Sequence, residues 1–478
     1  MTESLEPAWW KLWHWPISIG TAIIALVLLA LSFGVRMYFL SLVPVMAEPF
    51  DMAAFAKDDI PPEENAFTDY RRAFEMYAQM NSDPSGAALA DFEVDLHDGW
   101  SAADEATRAW LEANRAALVV WKRGTEKERA LHRTPGSPDI STFADMIVEQ
   151  RAFLRLARLE QMRCQHEGKF DGAWEMIRAA YRSGGHASSR GVAIEAMIGI
   201  ALHLTATVGM AHWAEQPSVT SDQLQSAMKQ VRSDFALYDA ESSALKAEYL
   251  YMRSAIRQPT WPDEIGAGLG GLFANESIPI SIRSVLLRMV GEPDVTLQIS
   301  RQVLANHLRE IDKPPAQRRK LVQYKKLKLF DVDPTAIRTT GELDPAALDR
   351  AMTSFLFTPS ISVGMLMLDG PHQRTRGRQA ALEVMFAAQA YQRDEGEFPK
   401  TLDPLVPKYL DAVPLDPCDP AGGPLRYRRN EATQAVVWSV GEDGVDGEDG
   451  VNNRGKVEAE EGRLPADVGF VLRVSDPT

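Results

Sequence analysis

From Leu12 to Val35 the chain carries no Asp, Glu, Lys or Arg, and no other feature limits its fold so sharply. The stretch PISIGTAIIALVLLALSFGV supplies about 19 residues after Pro16, roughly 28 Å as a helix, close to the thickness of a bilayer's hydrocarbon core. Trp9, Trp10, Trp13 and Trp15 crowd its entry side, and Tyr38 and Phe39 follow Arg36 at the other, as aromatic belts do at two membrane interfaces. These residues predict one uncleaved transmembrane helix at about 16–35. A cleaved signal peptide is the rival reading, with Val45-Met46-Ala47 as its cleavage motif. Against it, the apolar segment is too long and Arg36 interrupts the approach. Lys11 and the terminal amine precede the span while Arg36 follows it, so the positive charges lean slightly toward an inside N-terminus and a bulk lying outside the cytoplasmic membrane.

The remaining chain is long enough for two or three domains. A formal charge of -15 over 478 residues argues against sequence-independent nucleic-acid binding, which needs clustered positive charge. The expected partners are the bilayer, through the N-terminal helix, and an unidentified protein. Cys164 and Cys418 stand far apart without a CxxC, so they define neither a zinc site nor a disulfide framework, and a single bridge between them stays open.

After a linker at 41–61, residues 62 to about 260 read as consecutive helices. PPEENAFTDYRRAFEMYAQM begins with prolines and acids and places Phe67, Tyr70, Ala73, Phe74 and Tyr77 at helical spacing. SAADEATRAWLEANRAALVVW has Ser101 and Asp104 in capping-box positions and lays Trp110, Ala113, Ala117 and Trp121 along one face. Thr142 to His166, the turn EGKFD and the helix AWEMIRAAYRSGG make an αα-hairpin. That hairpin resembles one tetratricopeptide-type unit, although no clean 34-residue self-similarity accompanies it. GVAIEAMIGIALHLTATVGMAHW reads as a central buried helix, and its Glu195, His203 and His212 as polar groups on a partly exposed stripe, since no HExxH spacing is present. GAGLGGLF, at 266–273, lacks the spacing of a phosphate loop and reads as a flexible loop. KPPAQRRKLVQYKKLK, at 313–328, reverses the local charge, either as a solvated helix face or as a dock for anionic lipid or an acidic partner.

From Arg374 the pattern changes. GRQAALEVMFAAQAYQRDEGEFP predicts an amphipathic helix stopped by Gly396 and Pro399, and the segments through QAVVWSV turn and alternate like strands. WSVGEDGVDGEDGVNN then gathers Glu442, Asp443, Asp446, Glu448 and Asp449 among glycines. Hard oxygen ligands suit calcium, but the run fails the EF-hand pattern, and a solvated acidic turn is the plainer reading of the run by itself.

The ordered set AYQRDEGEFP, LVPKYL, VPLDP, GGPLRYR and WSVGEDGVDGEDG resembles the globular head of the G-type major pseudopilin of the type II secretion system, over roughly residues 378–450. The resemblance implies a small α+β domain and a calcium site at Ser439 to Asp449, with Ser439, Glu442, Asp443, Asp446 and Asp449 as its ligands and Asp467 as a downstream acid. The chain departs from that family in lacking a prepilin cleavage motif and a stem directly before the head, and in carrying DPCDPAGG where the family has DPWG. The expected architecture is therefore mainly α: an anchor at 1–40, a helical domain at 62–370 and a pseudopilin-head-like domain at 371–478. The function it implies is that of a membrane-anchored envelope protein that binds or scaffolds, with calcium as a structural ion. A component of a type II secretion-like apparatus and an envelope hydrolase are the alternatives, and no GxSxG, HExxH or phosphate loop names catalytic residues for the latter.

Overall fold

Runs rich in Ala, Leu, Met, Arg and Glu favour helix, and most of the described chain is helical. The structure, a computed structural model, describes residues 9–41, 47–57, 59–80, 98–137, 142–237, 241–258, scattered positions from 297 to 339, 369–447 and 467–474. The chain divides into two units. One joins residues 1–49, 255–306 and 321–362; the other joins 50–254, 307–320 and 363–478. The boundary expected at residue 370 lies inside the second unit, where helices and C-terminal strands share one hydrophobic cluster. GAGLGGLF and most of the basic run at 313–328 lie outside the described residues, as do Val45, Met46 and Asp449.

In the first unit, α1 runs Trp9–Ser41 and contains the expected span. Its consecutive residues Leu26, Val27, Leu28 and Leu29 are 64%, 52%, 58% and 68% exposed. Arg301 donates to Glu48 at 2.6 Å.

The second unit begins with α2 (Met52–Phe55), α3 (Ala66–Met80) and α4 (Glu105–Thr125). Phe67, Tyr70, Ala73 and Tyr77 are buried as their spacing predicts, with Phe74 packed at the edge of the core. The start of α4 lies later than expected. Asp104 is itself the N-cap, accepting the Thr107 amide at 2.7 Å, and Ser101 belongs to a preceding 3₁₀ turn. The buried face of α4 also shifts: Ala113 is exposed, and Asn114 turns inward to donate to the Trp110 carbonyl at 2.9 Å.

Next come α5 (Thr142–His166) and α6 (Phe170–Ser188), the expected hairpin, then α7 (Ala193–Glu215), α8 (Ser221–Ala236) and α9 (Glu241–Ala255). Helix α7 is long and apolar enough to cross a membrane, and 56% of its apolar window is buried in the protein. It crosses α6 where two glycines meet: a Cβ on Gly199 would stand 2.4 Å from the Gly184 carbonyl oxygen, so any larger side chain would separate the helices.

Helix α10 (Asp369–Glu395) begins before Gly377, ends at Gly396 in the left-handed region, and is not amphipathic over its central turns. Ala381, Leu382, Val384, Met385, Phe386, Ala387, Ala388 and Ala390 are all essentially inaccessible, because helices cover one side and the sheet the other. The sheet is antiparallel in the order β1 (Arg426–Glu431), β2 (Gln434–Ser439), β3 (Val468–Arg473). Ala435, Val437, Phe470 and Leu472 complete the core.

Polar groups join the helices inside. The Tyr70 hydroxyl meets His186 Nδ1 at 2.6 Å, and the His203 ring stacks on Tyr181 at 4.5 Å. Burial pushes each imidazole from its ordinary 6.5 down to about 3. The unfolded chain takes up both protons near pH 6.5 while the folded chain refuses them until about pH 3. Stability is therefore full above that window and falls as pH drops through it, by up to about 1.4 kcal/mol per pH unit for each histidine. Denaturant unfolding of the full chain in detergent should show this loss between pH 7 and pH 5. His203→Phe, which keeps a ring against Tyr181, should flatten the slope, and an unchanged slope would count against a neutral buried imidazole.

Candidate metal centre

The turns before the hairpin are set by Asp-Pro pairs, which favour turn initiation. In VPLDPCDPAGG each aspartate accepts an amide two residues on: Asp416 Oδ1 from Cys418 at 2.9 Å, and Asp419 Oδ1 from Ala421 at 2.7 Å. Asp416 then reaches across to the end of β2. Its Oδ1 accepts the Ser439 hydroxyl at 2.6 Å and its Oδ2 the Val440 amide at 2.9 Å. Both Asp416 and Ser439 are buried. Gly377 of α10 closes the site, since a Cβ there would stand 2.5 Å from Ser439 Oγ and 3.2 Å from Cys418 Sγ.

Ser439 thus works as a link between the strand and the turn. Beyond it, a 3₁₀ turn over Gly441–Asp443 ends at Gly444 in the left-handed region and presents Glu442 and Asp443 outward. Glu442 lies against Gly370 in the first turn of α10, where the helix dipole favours a negative charge. Asp443 Oδ1 accepts the Val445 amide at 3.0 Å. Asp446 is held from two sides, by Trp438 Nε1 at 3.0 Å and Arg426 Nε at 3.3 Å. Arg426 also donates to Asp419 at 2.9 Å, and the Ala421 amide and this guanidinium hold the Asp419 carboxyl below its ordinary value. Asp467 is buried immediately before Val468, the register partner of Ser439.

Among the described residues no three His, Cys, Asp or Glu side chains converge as a ligand group. Of the expected ligands, Glu442, Asp443 and Asp446 share one exposed turn, Ser439 sits beneath it, and Asp449 lies outside the described residues. The carboxylates and turn carbonyls have the chemistry for a hard cation, which would compete with Arg426 and Trp438 for Asp446. Asp416 lies outside the acidic run, and its signal in the sequence is the repeated Asp-Pro of VPLDPCDP.

The other polar residues singled out by sequence lie elsewhere. Glu195 is not on an exposed stripe. Its Oε2 accepts the Val192 amide at 2.8 Å at the start of α7, and its Oε1 meets His132 Nδ1 at 2.9 Å and Arg133 Nε at 3.3 Å. His203 is buried and His212 half-buried. Cys164 and Cys418 are both buried and unbridged. No family model matches the chain, and neither a curated protein nor a solved structure matches it.

Asp416→Ala strips the acceptors from one buried hydroxyl and two amides and should cost about 3 kcal/mol in denaturant unfolding. Asp443→Ala, on the exposed turn, should stay within about 0.5 kcal/mol without added calcium.

Proposed function

We propose that this chain is a membrane-anchored envelope protein that binds or scaffolds a partner, held by α1 and stabilised by calcium at its C-terminal acidic turn. The observation that carries the anchor is the exposure of α1 all the way round at Leu26 to Leu29. Successive helical residues point about 100° apart, so Leu26 to Leu29 sample the whole circumference, and all four are more than half exposed. A helix apolar on every side is stable when protein or lipid surrounds it, and among the described residues no protein face covers these four side chains. The apolar helix α7 differs, because over half of its apolar window is packed within the unit and a proline-flanked turn ends it. The bulk lies on the extracytoplasmic side, in keeping with Lys11 before the span.

Carbonate washing should leave the full-length protein in the membrane pellet, and a mature N-terminus at Glu48 would overturn the anchor. A reporter fused after Thr478 that is active only in the cytoplasm would reverse the orientation.

What supports calcium is the acidic turn with its resemblance to the pseudopilin loop, in a compartment where millimolar calcium fills weak sites. The full chain in detergent is the sample to test, because α10 completes a core shared with the helices. At a hundredfold excess over Kd, calcium should add about 2.7 kcal/mol to folded-state stability, raising Tm by several degrees. Asp443→Ala should remove most of that gain, and magnesium should substitute poorly because it resists dehydration. A melting temperature indifferent to millimolar calcium would make the acids a solvated turn.

A further inference from the structure

Where α10 meets α6 and α7, two buried donors have no acceptor. Arg378 Nε donates to Thr207 Oγ1 of α7 at 2.7 Å, and its guanidinium lies 4.6 Å from the centre of the Phe470 ring. Its Nη2 is buried with no acceptor. The neighbouring Gln379 is 6% exposed; its Oε1 accepts the Tyr181 hydroxyl of α6 at 2.7 Å, and its Nε2 also lacks an acceptor. Arg374 stands one turn back on the Arg378 face, where like charges at i, i+4 repel. No carboxylate among the described residues pairs with either guanidinium.

Two further facts have the same sign. Arg374, Arg376 and Arg378 crowd three guanidiniums into five residues of α10. Burial, with Arg374 adding to it, pushes the Arg378 pKa down to about 10. Buried donors left open are costly, and a tetrahedral oxyanion supplies several acceptors at once to guanidinium forks.

We infer that this seam binds a phosphate-class oxyanion, held by Arg374, Arg378 and the Gln379 amide where α10 meets α6 and α7. The site shares no residue with the calcium turn, and its occupant locks the C-terminal helix to the helical layer. The test is thermal unfolding of the full chain in lipid-free detergent, with inorganic phosphate exchanged for chloride at matched ionic strength. Phosphate at a hundredfold excess over Kd should raise Tm by several degrees. Arg374→Gln should keep the phosphate-free Tm and lose most of the gain. Arg378→Gln should lose the gain while raising the phosphate-free Tm, because an unpaired buried charge has gone; if it fails to fold, Arg374→Gln carries the test. A second arm adds phosphatidic acid to the micelles. A rise with that lipid and not with inorganic phosphate, abolished by Arg374→Gln, assigns the site to a lipid headgroup. No rise with either, or a rise that survives Arg374→Gln, overturns the proposal.

Discussion

The second unit depends on the burial of α10 on two sides. From Ala381 to Ala390 only Glu383 escapes full burial, so the helix must be covered by α7 and α8 on one side and by β2 and β3 on the other. Leu382, Met385 and Phe386 alone contribute about 1.5–3 kcal/mol each on burial, an upper estimate because unfolded chains already hide some surface. Polar contacts fix the same packing at its rim. Arg232 of α8 bridges Glu383 at 2.8 Å and Asp411 at 3.3 Å, though an exposed pair of this kind sets register more than stability.

A compact assembly of helices also has to satisfy the carbonyls left open at each helix C-terminus. Here one buried and one half-buried arginine do so. Arg182 of α6 donates to the carbonyls of Thr125, Glu126 and Lys127 at the end of α4, and also to Asp234 of α8 at 2.7 Å. Arg178 joins Asp234 at 2.6 Å, so one carboxylate balances two guanidiniums. Arg393 of α10 donates to Ala214, Gln216 and Val219, closing the end of α7 and the turn into α8. Removing a partner from such a group would leave either a charge or several carbonyls buried and unmatched, which is the expensive case.

Much of the fold was legible locally, and the failures share a cause. The bounds of α5 and α6, the apolar face of α3 and the hairpin each follow from period, turn residues and caps within a few positions. Ser101 and Asp104 both fit a cap, and only the chain's path decides that Asp104 ends the turn. The period of α10 suggested one buried face because its flanking residues are polar, whereas burial on the second side depends on strands up to about 90 residues later in the chain, beyond the reach of a local period. Glu195 reads as a polar residue on a stripe because its partners His132 and Arg133 lie 63 and 62 residues away. At the candidate metal centre, the acids were visible as composition, but the partnership of Asp416 with Ser439 spans 23 residues and carries no periodic signal.

Those long-range partners give the acidic turn its mechanical setting. Ser439 is tied to Asp416, Cys418 Sγ donates to the Gln373 carbonyl at 3.2 Å, and Glu442 lies against Gly370, so strand, turn and the first turns of α10 meet at one place. A cation drawing Glu442 and Asp443 together would act on the start of α10, and α10 continues unbroken into the two-sided core. The same helix carries Arg374 and Arg378 a turn or two further on. Two ligands of opposite charge, each favouring the docked helix, would stabilise one conformation from its two sides, and linkage requires any coupling between them to be reciprocal. Asp416, buried where strand, turn and helix meet, holds the end of the strand, while Glu442 and Asp443 stay exposed on the turn above it.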